Sequence, residues 1–247
     1  MPPNATNFSL SFKFSKFYFC LQETHYCATT NAKRWEQEWP GKSFWAGNST
    51  NQAECAILIS PNLSNSIIFN SSSRDIGGRY VVVDFEFHGE TFKLLNLYAY
   101  NDATRRDGFF KSLSKLCPSS DKNFIMCGDY NMVMDLDNDR VGGHPSPHPH
   151  TVGKIELQKL LQKSDLVDVC HHHQISNSYT WHSRQDAIYS RLDRIYISKH
   201  LGTRTSKPKQ NSYRNISDHD MFTCILNFVD RGPGFWKLNT EILSDAL

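Results

Sequence analysis

The run RYVVVDFEFHGETFKLLNLY, residues 79–98, decides the fold class. Arg79–Phe87 alternates, with Val81, Val83, Phe85 and Phe87 on one face, the period of a strand rather than a helix. His88-Gly89 then supplies a tight turn, and Glu90–Tyr98 returns as a second strand on which Asn96 and Tyr98 share a face. Working outward, Cys55–Ser60 and Ser66–Asn70 are short apolar runs separated by the turn signal Pro61-Asn62. Asn123–Cys127 is a short strand ending in Gly128-Asp129, and Tyr179–His182, Leu192–Ser198 and Phe222–Phe228 read as three more. Two helices are predicted. One is Ala103–Leu116, broken by Pro118; the other is Val152–Lys163, with Leu157, Leu160 and Leu161 at helical spacing. Arg140–His150, rich in Pro, Gly and His, is a loop. Many strands with two or three helices between them imply an α/β two-layer fold.

Composition limits the function classes. The 247 residues carry 27 basic and 25 acidic side chains, a formal charge of +2, so any nucleic-acid surface must be local. At 13% aromatic the chain has too much core-forming material for a disordered tail. No stretch approaches the roughly 20 apolar residues of a membrane span, so no membrane partner is expected. Residues 8–21 are apolar, but Lys13 and Lys16 interrupt them and no small-residue cleavage site follows, so they read as a buried strand or helix. The seven cysteines are odd in number, scattered and free of any C-x-x-C pair. That argues against a disulfide framework or structural zinc and for a reducing compartment.

Acidic and amide residues collect at predicted strand ends: Glu23 after Cys20-Leu21, Asp129 and Asn131 after NFIMC, Asp193 opening DRIYIS, and Asp218-His219 before MFTCILNF. Ligands bind α/β sheets where strand ends converge. Oxygen ligands without cysteine favour a hard cation such as Mg²⁺. Phosphodiester hydrolysis needs a polarised phosphoryl oxygen, an activated water and charge stabilisation, which carboxylates, an Asn and a His can supply. Any one of these carboxylates alone reads as a turn residue or cap; four at successive strand ends do not.

The ordered set Leu21-Gln22-Glu23-Thr24-His25, Asn96-Leu97-Tyr98-Ala99-Tyr100-Asn101, Gly128-Asp129-Tyr130-Asn131, Tyr179-Thr180-Trp181, Leu192-Asp193-Arg194-Ile195 and Ser217-Asp218-His219-Asp220 resembles the endonuclease/exonuclease/phosphatase superfamily. More narrowly, it resembles the apurinic-type endonuclease domain of LINE-type (non-LTR) retrotransposon polyproteins. Gly232-Pro233-Gly234-Phe235-Trp236-Lys237-Leu238-Asn239 is similar to the segment following that domain. The resemblance covers about residues 20–240. It implies a DNase I-like four-layer sandwich, two mixed sheets face to face with helices outside, over residues 1–230. Residues 231–247 would then be a linker toward a reverse transcriptase. It also implies Mg²⁺- or Mn²⁺-dependent hydrolysis of DNA by strand nicking, in a monomer acting in the nucleus. By motif, Glu23 and Asp218 would be metal ligands, and Asp129 would hold or deprotonate the attacking water. Asn131 would bind the phosphate and Tyr98 would stabilise the transition state. Asp193 would orient His219, whose imidazolium would bind the scissile phosphate.

Some features depart from that pattern. The family opens with an Asn-bearing strand and a helix, whereas only 22 residues precede Glu23 here and none forms an Asn-Gly pair. The opening strand is therefore expected to be truncated or degenerate. A catalytically impaired remnant that binds DNA weakly is one alternative function. The same fold acting on another phosphodiester or phosphomonoester is another. Glu54 stands where the family often has Gly and reads as an exposed strand start; Tyr100 replaces a Pro and reads as packing. Trp35, Trp39 and Trp45 read as core and turn packing, and the histidines at 144, 148, 150 and 171–173 as solvated. Trp181 is either a groove-facing aromatic or core. The segment Arg184–Arg214 holds eight basic residues against two acidic ones, a phosphate footprint in which Arg184, Arg191, Lys207 and Lys209, with Trp181, are the expected DNA contacts.

Overall fold

The computed structural model describes residues 17–24, 32–47, 54–143, 151–183 and 187–228. The opening segment, His25, Arg184, the histidines at 144, 148 and 150 and the Gly-Pro-Gly tail lie outside them. The chain begins with β1 (Tyr18–Gln22), α1 (Ala32–Glu38), β2 (Lys42–Ala46), β3 (Cys55–Ile59) and the single turn α2 (Pro61–Ser64). Next come β4 (Ile68–Arg74), β5 (Tyr80–Phe87), β6 (Glu90–Tyr98), α3 (Ala103–Leu113) and β7 (Asn123–Asp129). Short α4 (Leu136–Asp139) and β8 (Arg140–Val141) lead to α5 (Lys154–Lys163), β9 (Leu166–Asp168) and α6 (Val169–His172). The last strands are β10 (Trp181–His182), β11 (Tyr189–Ser190), β12 (Asp193–Ser198), β13 (Lys209–Asn211) and β14 (Met221–Thr223).

Six strands form the central sheet in the order β4-β5-β6-β7-β12-β9. The predicted hairpin is its middle: β5 and β6 pair antiparallel from Tyr80↔Leu97 to Phe87↔Glu90. β6 runs parallel to β7, so Tyr98 and Asp129 end side by side. A smaller antiparallel sheet, β1-β3-β2, packs against one face. Between the two sheets lie Ile57, Ile59, Val81, Val83, Phe85, Phe87, Phe92 and Leu94. The opposite face of the central sheet, with Val82, Leu95, Leu97 and Met126, is covered by Phe109, Phe110 and Leu113 of α3 and by Leu157 and Leu160 of α5. Trp39, just after α1, packs with Trp45 on the outer face of the small sheet. This is the sandwich that the family resemblance implied, with more layers than the two-layer fold that the strand pattern implied. The reading of Trp39 and Trp45 as packing holds, whereas the side chain of Trp35 lies outside the description.

Local chemistry explains where elements differ from the sequence reading. Pro61-Asn62 opens a helical turn because Pro61 suits the first helical position and the Ser60 hydroxyl accepts the Leu63 N–H. α3 starts where the Asp102 carboxylate accepts the Thr104 N–H, and stops at Leu113, the last residue of its buried face. The predicted strand 222–228 forms a ladder only over Met221–Thr223, with one further bridge from Leu226 to Thr205. Its alternation is nonetheless real, because Phe222, Cys224, Leu226 and Phe228 pack half-buried against the inter-sheet core. The pattern reported a face, not a ladder. β2, β8, β9, β11 and β13 go beyond the sequence expectation, and β8 corrects the start of the expected loop Arg140–His150; Lys209–Asn211 (KQN) is wholly polar and exists only through its pairing with β14. Glu54 corrects an expectation. It is 1% exposed and has φ 59, a left-handed conformation that costs a glycine least, at a buried strand start. No disulfide joins the six described cysteines, and no described helix is long and apolar enough to cross a membrane.

Candidate active site

Three adjacent strands deliver three of the expected residues to one rim. Tyr98 and Asp129 are register partners across β6 and β7, and Asp129 and Asp193 are partners across β7 and β12. Paired strands put partner side chains on the same face, so tyrosine and both carboxylates stand in a row. The row requires Gly128. Its φ is +136, and a Cβ there would meet the Leu97 carbonyl oxygen at 1.9 Å.

His219 completes the row through Asp193: the imidazole Nδ1 lies 2.8 Å from Asp193 Oδ2. Two contacts fix the pair. The Thr180 hydroxyl accepts the N–H groups of Leu192 (3.1 Å) and Asp193 (2.9 Å), and Trp181 bridges the His219 backbone. Burial pulls the His219 pKa down, but the hydrogen bond and charge of Asp193 more than reverse it, and the imidazole is held up to about 9. It is a cation at neutral pH. Burial, then the charge of Asp193, pushes Asp129 up to about 7, with His219 as the opposing cation and Glu23 adding to the rise. Burial and Glu23 hold the Tyr98 hydroxyl well above its ordinary value, so it stays a donor.

Asn131, at φ 49, turns back over the row. Its N–H donates to Asp129 Oδ1 (2.8 Å), while its side-chain amide donates to the Ala99 carbonyl (2.9 Å). Glu23 arrives from the other sheet and accepts a hydrogen bond from the Tyr98 hydroxyl. Buried Asn96 places it there, donating to the carbonyls of Leu21 and Ala56 (2.9 Å each) and accepting from Gln22 (2.6 Å). Sequence reading quoted Gln22, Asn96 and Thr180 within motifs but gave them no role. For Asn96 the signal was a polar residue inside an otherwise apolar strand; Gln22 ends β1 and Thr180 lies just before β10.

Among the described residues, one group of three possible metal ligands lies within 4.8 Å, formed by Asp129, Asp193 and His219. His219 is bonded to Asp193 through Nδ1, and burial and mutual charge set the protonation of the trio. Glu23 and Asp218 lie outside that group, but their charges act on it, Glu23 on Asp129 and Asp218 on His219. Glu23 is an exposed carboxylate beside a rim where negative charge outnumbers the single imidazolium. That donor set fits a hard cation held by one or two carboxylates with water completing its shell.

The expected DNA footprint is corrected in part. Arg191 is 8% exposed and does not face solvent: it pairs with Asp139 (3.4 Å) and with Asp168. Arg194 joins the same buried cluster, and Arg204 pairs with Glu90 (2.8 Å) at the far end of β6 from Tyr98. A count of formal charge could not see these carboxylates, which come from distant parts of the chain. Lys207 and Lys209 are exposed, Lys209 opposite Thr223 on β13. Trp181 is half-buried at the rim, its indole N–H donating to Asp218 (3.2 Å). Tyr100 is more than packing, since the guanidiniums of Arg79 and Arg105 lie over its ring. Of the 171–173 histidines, His173 is bonded to the Thr205 hydroxyl (2.9 Å) rather than solvated.

Comparison with known proteins agrees with this geometry. A protein of Xenopus laevis, the transposon TX1 uncharacterized 149 kDa protein, is 29% identical over 236 residues, which is 91% of this chain but 17% of that protein's length. The chain thus spans about a sixth of that relative. Among solved structures, the AP endonuclease LMAP from Leishmania major superposes with TM-score 0.68 at 14% identity, covering 85% of this chain and 78% of that one. The 3′-5′ exonuclease NExo from Neisseria meningitidis superposes with TM-score 0.67 at 17% identity, covering 85% and 89%. The fold is therefore that of the DNase I-like nucleases. Residues 14–219, which take in every residue of the rim, match the pattern of the Endonuclease/Exonuclease/phosphatase family, and the chain belongs to that family.

Proposed function

We propose that this protein is a divalent-metal-dependent DNA endonuclease that nicks one strand, derived from a LINE-type retrotransposon. The single observation that carries the reading is the in-register row Tyr98–Asp129–Asp193 with His219 bonded to Asp193. Its geometry suits a phosphodiester. His219, cationic and held by Asp193, receives a non-bridging phosphate oxygen. Asp129, with a pKa of about 7, takes the proton of the attacking water near neutrality. Asn131 keeps one Asp129 oxygen occupied and so aims the other. The Tyr98 hydroxyl, still protonated, donates toward charge that develops on the phosphoryl group. Glu23 and Asp218 would hold Mg²⁺ or Mn²⁺, which would supply Lewis-acid neutralisation of the phosphate. DNA as substrate and the retrotransposon origin rest on the similarity to the transposon TX1 protein and the nuclease fold.

Supercoiled plasmid with Mg²⁺ should be converted to open circles, and EDTA should stop this. His219→Ala and Asp129→Ala should each slow nicking by roughly 10²–10⁴-fold. Equal nicking by wild type and both variants would remove these residues from the chemistry. The position of Glu23 and Asp218 outside the tight cluster favours a second reading, a remnant that binds DNA without cutting it. In that case plasmid binding persists while no open circles form at any Mg²⁺ or Mn²⁺ concentration.

A further inference from the structure

A pocket of about 390 Å³ opens beside the rim, lined by Asp75, Arg79, Tyr80, Tyr100, Arg105 and Phe109 among others. The Arg79 guanidinium lies 4.1 Å from the centroid of the Tyr100 ring and 4.9 Å from that of Tyr98. The Arg105 guanidinium lies 3.9 Å from the Tyr100 centroid. Two cations thus share one aromatic ring, and Phe109 holds that ring edge-on at 5.7 Å. Among the described residues no carboxylate comes within 4 Å of either guanidinium. The nearby acids are held by backbone groups rather than by either guanidinium. Asp75 Oδ2 accepts the Arg79 backbone N–H (3.0 Å), and Asp102 caps α3. Most other basic groups near the catalytic strands, such as Arg191 and Arg194, are neutralised by ion pairs. Two stacked guanidiniums, neither in a direct ion pair, on an open wall form an anion site.

We propose that Arg79, Tyr100 and Arg105 form a second phosphate subsite, binding a backbone phosphate of the strand whose neighbouring phosphate is cut at Asp129 and His219. The inference rests on the nuclease reading. Tyr98 in the catalytic row and Tyr100 in the subsite are two residues apart, at most about 7 Å along the chain, and Arg79 touches both rings. The subsite therefore adjoins the catalytic rim and would set the register of the strand rather than perform chemistry. Arg79, which also reaches the Tyr98 and Ala99 carbonyls at 3.5 and 3.4 Å, is partly structural. Arg105 is exposed on the first turns of α3 and can be removed cleanly.

The test measures binding of a short DNA duplex to catalytically silent Asp129→Asn protein across a salt series. It compares that protein with the same protein carrying Arg105→Ala, Tyr100→Ala or Arg105→Lys. Loss of one phosphate contact should reduce the slope of log Kobs against log[salt] by about 1. In the nicking-competent background, Arg105→Ala should raise KM by roughly tenfold and leave kcat within about twofold. Arg105→Lys should keep the salt slope, and Tyr100→Ala should lower affinity with both arginines present. If the parent protein binds DNA and Arg105→Ala leaves slope and KM unchanged, the subsite is wrong. If the parent protein binds no DNA at all, the nuclease reading itself fails. Matching thermal midpoints for the parent and Arg105→Ala proteins keep either result from being a folding effect.

Discussion

Asp129 combines two demands that oppose each other. It is 4% exposed, and burial together with the charge of Asp193 lifts its pKa to about 7. A carboxyl whose pKa is raised by folding binds its proton more tightly in the native state. Its stabilising contribution is complete below the unfolded value near 4 and is lost as pH rises through 7. His219 shifts in the same direction, to about 9, so its contribution is complete below about 6.5 and lost as pH rises through 9. In EDTA, stability should therefore fall between about pH 4 and 9, the Asp129 part first. Asp129→Asn, which can still accept the Asn131 N–H, should remove the first part of that fall. It should raise stability at pH 8 by about 1–3 kcal/mol while abolishing nicking. Urea melts of both proteins at pH 5 and 8 check this; a variant less stable than wild type at pH 8 would contradict the buried-charge account. Activity has the opposite needs, a base that has lost its proton and an imidazole that keeps one. At fixed Mg²⁺, kcat/KM should rise through about pH 7 and fall near 9.

At the scale of elements, Asn96 decides whether the two sheets meet correctly. It stands fully buried on β6, and its amide joins β6 to the carbonyls of β1 and β3 and to Gln22. Asn96→Leu would strand the Leu21 and Ala56 carbonyls and leave the Gln22 amide with only the Cys20 carbonyl, costing about 2–4 kcal/mol. It should also weaken nicking, because Glu23 follows Gln22 directly and loses its placement beside Tyr98. Asn96→Asp tests the same point by keeping one acceptor but no donor. A thermal melt together with plasmid nicking separates the two effects: full activity in a destabilised Asn96→Leu protein would show that Glu23 is not placed by this bridge. The element-level fold was largely legible in the sequence. Val81, Val83, Phe85 and Phe87 alternate because each strand of the central sheet faces two different layers. What stayed hidden was whatever depends on a distant partner. β13 is polar throughout and takes its identity from β14, and Asn96 looked like one more strand residue until its three partners closed around it. The rim was legible as a set of residues in order, but its geometry comes from the registers Tyr98↔Asp129 and Asp129↔Asp193, which no local pattern encodes.

Across the whole molecule the main surprise is where positive charge resides. Arg191 and Arg194 read as part of a DNA-facing run, yet both point inward and share Asp139 and Asp168. Those acids come from α4 and the end of β9, so four charges tie β12 to the segments beside it. Arg194 is 2% exposed, and Asp139 also accepts the N–H groups of Met134 and Asp135 (2.9 Å each) in the loop after Asn131. The cluster therefore supports the catalytic loop from behind. Buried ion pairs are costly to break and gain little over an apolar replacement, because a lone charge left inside must be desolvated without a partner. Arg194→Met should lower stability by about 3–5 kcal/mol, since Asp139 and Asp168 keep their charge with only Arg191 to balance them. Combining it with Asp139→Asn alone should recover part of that loss, because Arg191 and Asp168 then remain as one balanced pair. DNA affinity of the refolded Arg194→Met protein, measured at low temperature where it stays native, should match wild type, and its salt slope should be unchanged. A slope lower by about 1 would instead put Arg194 on the phosphate backbone and return the basic run to the surface.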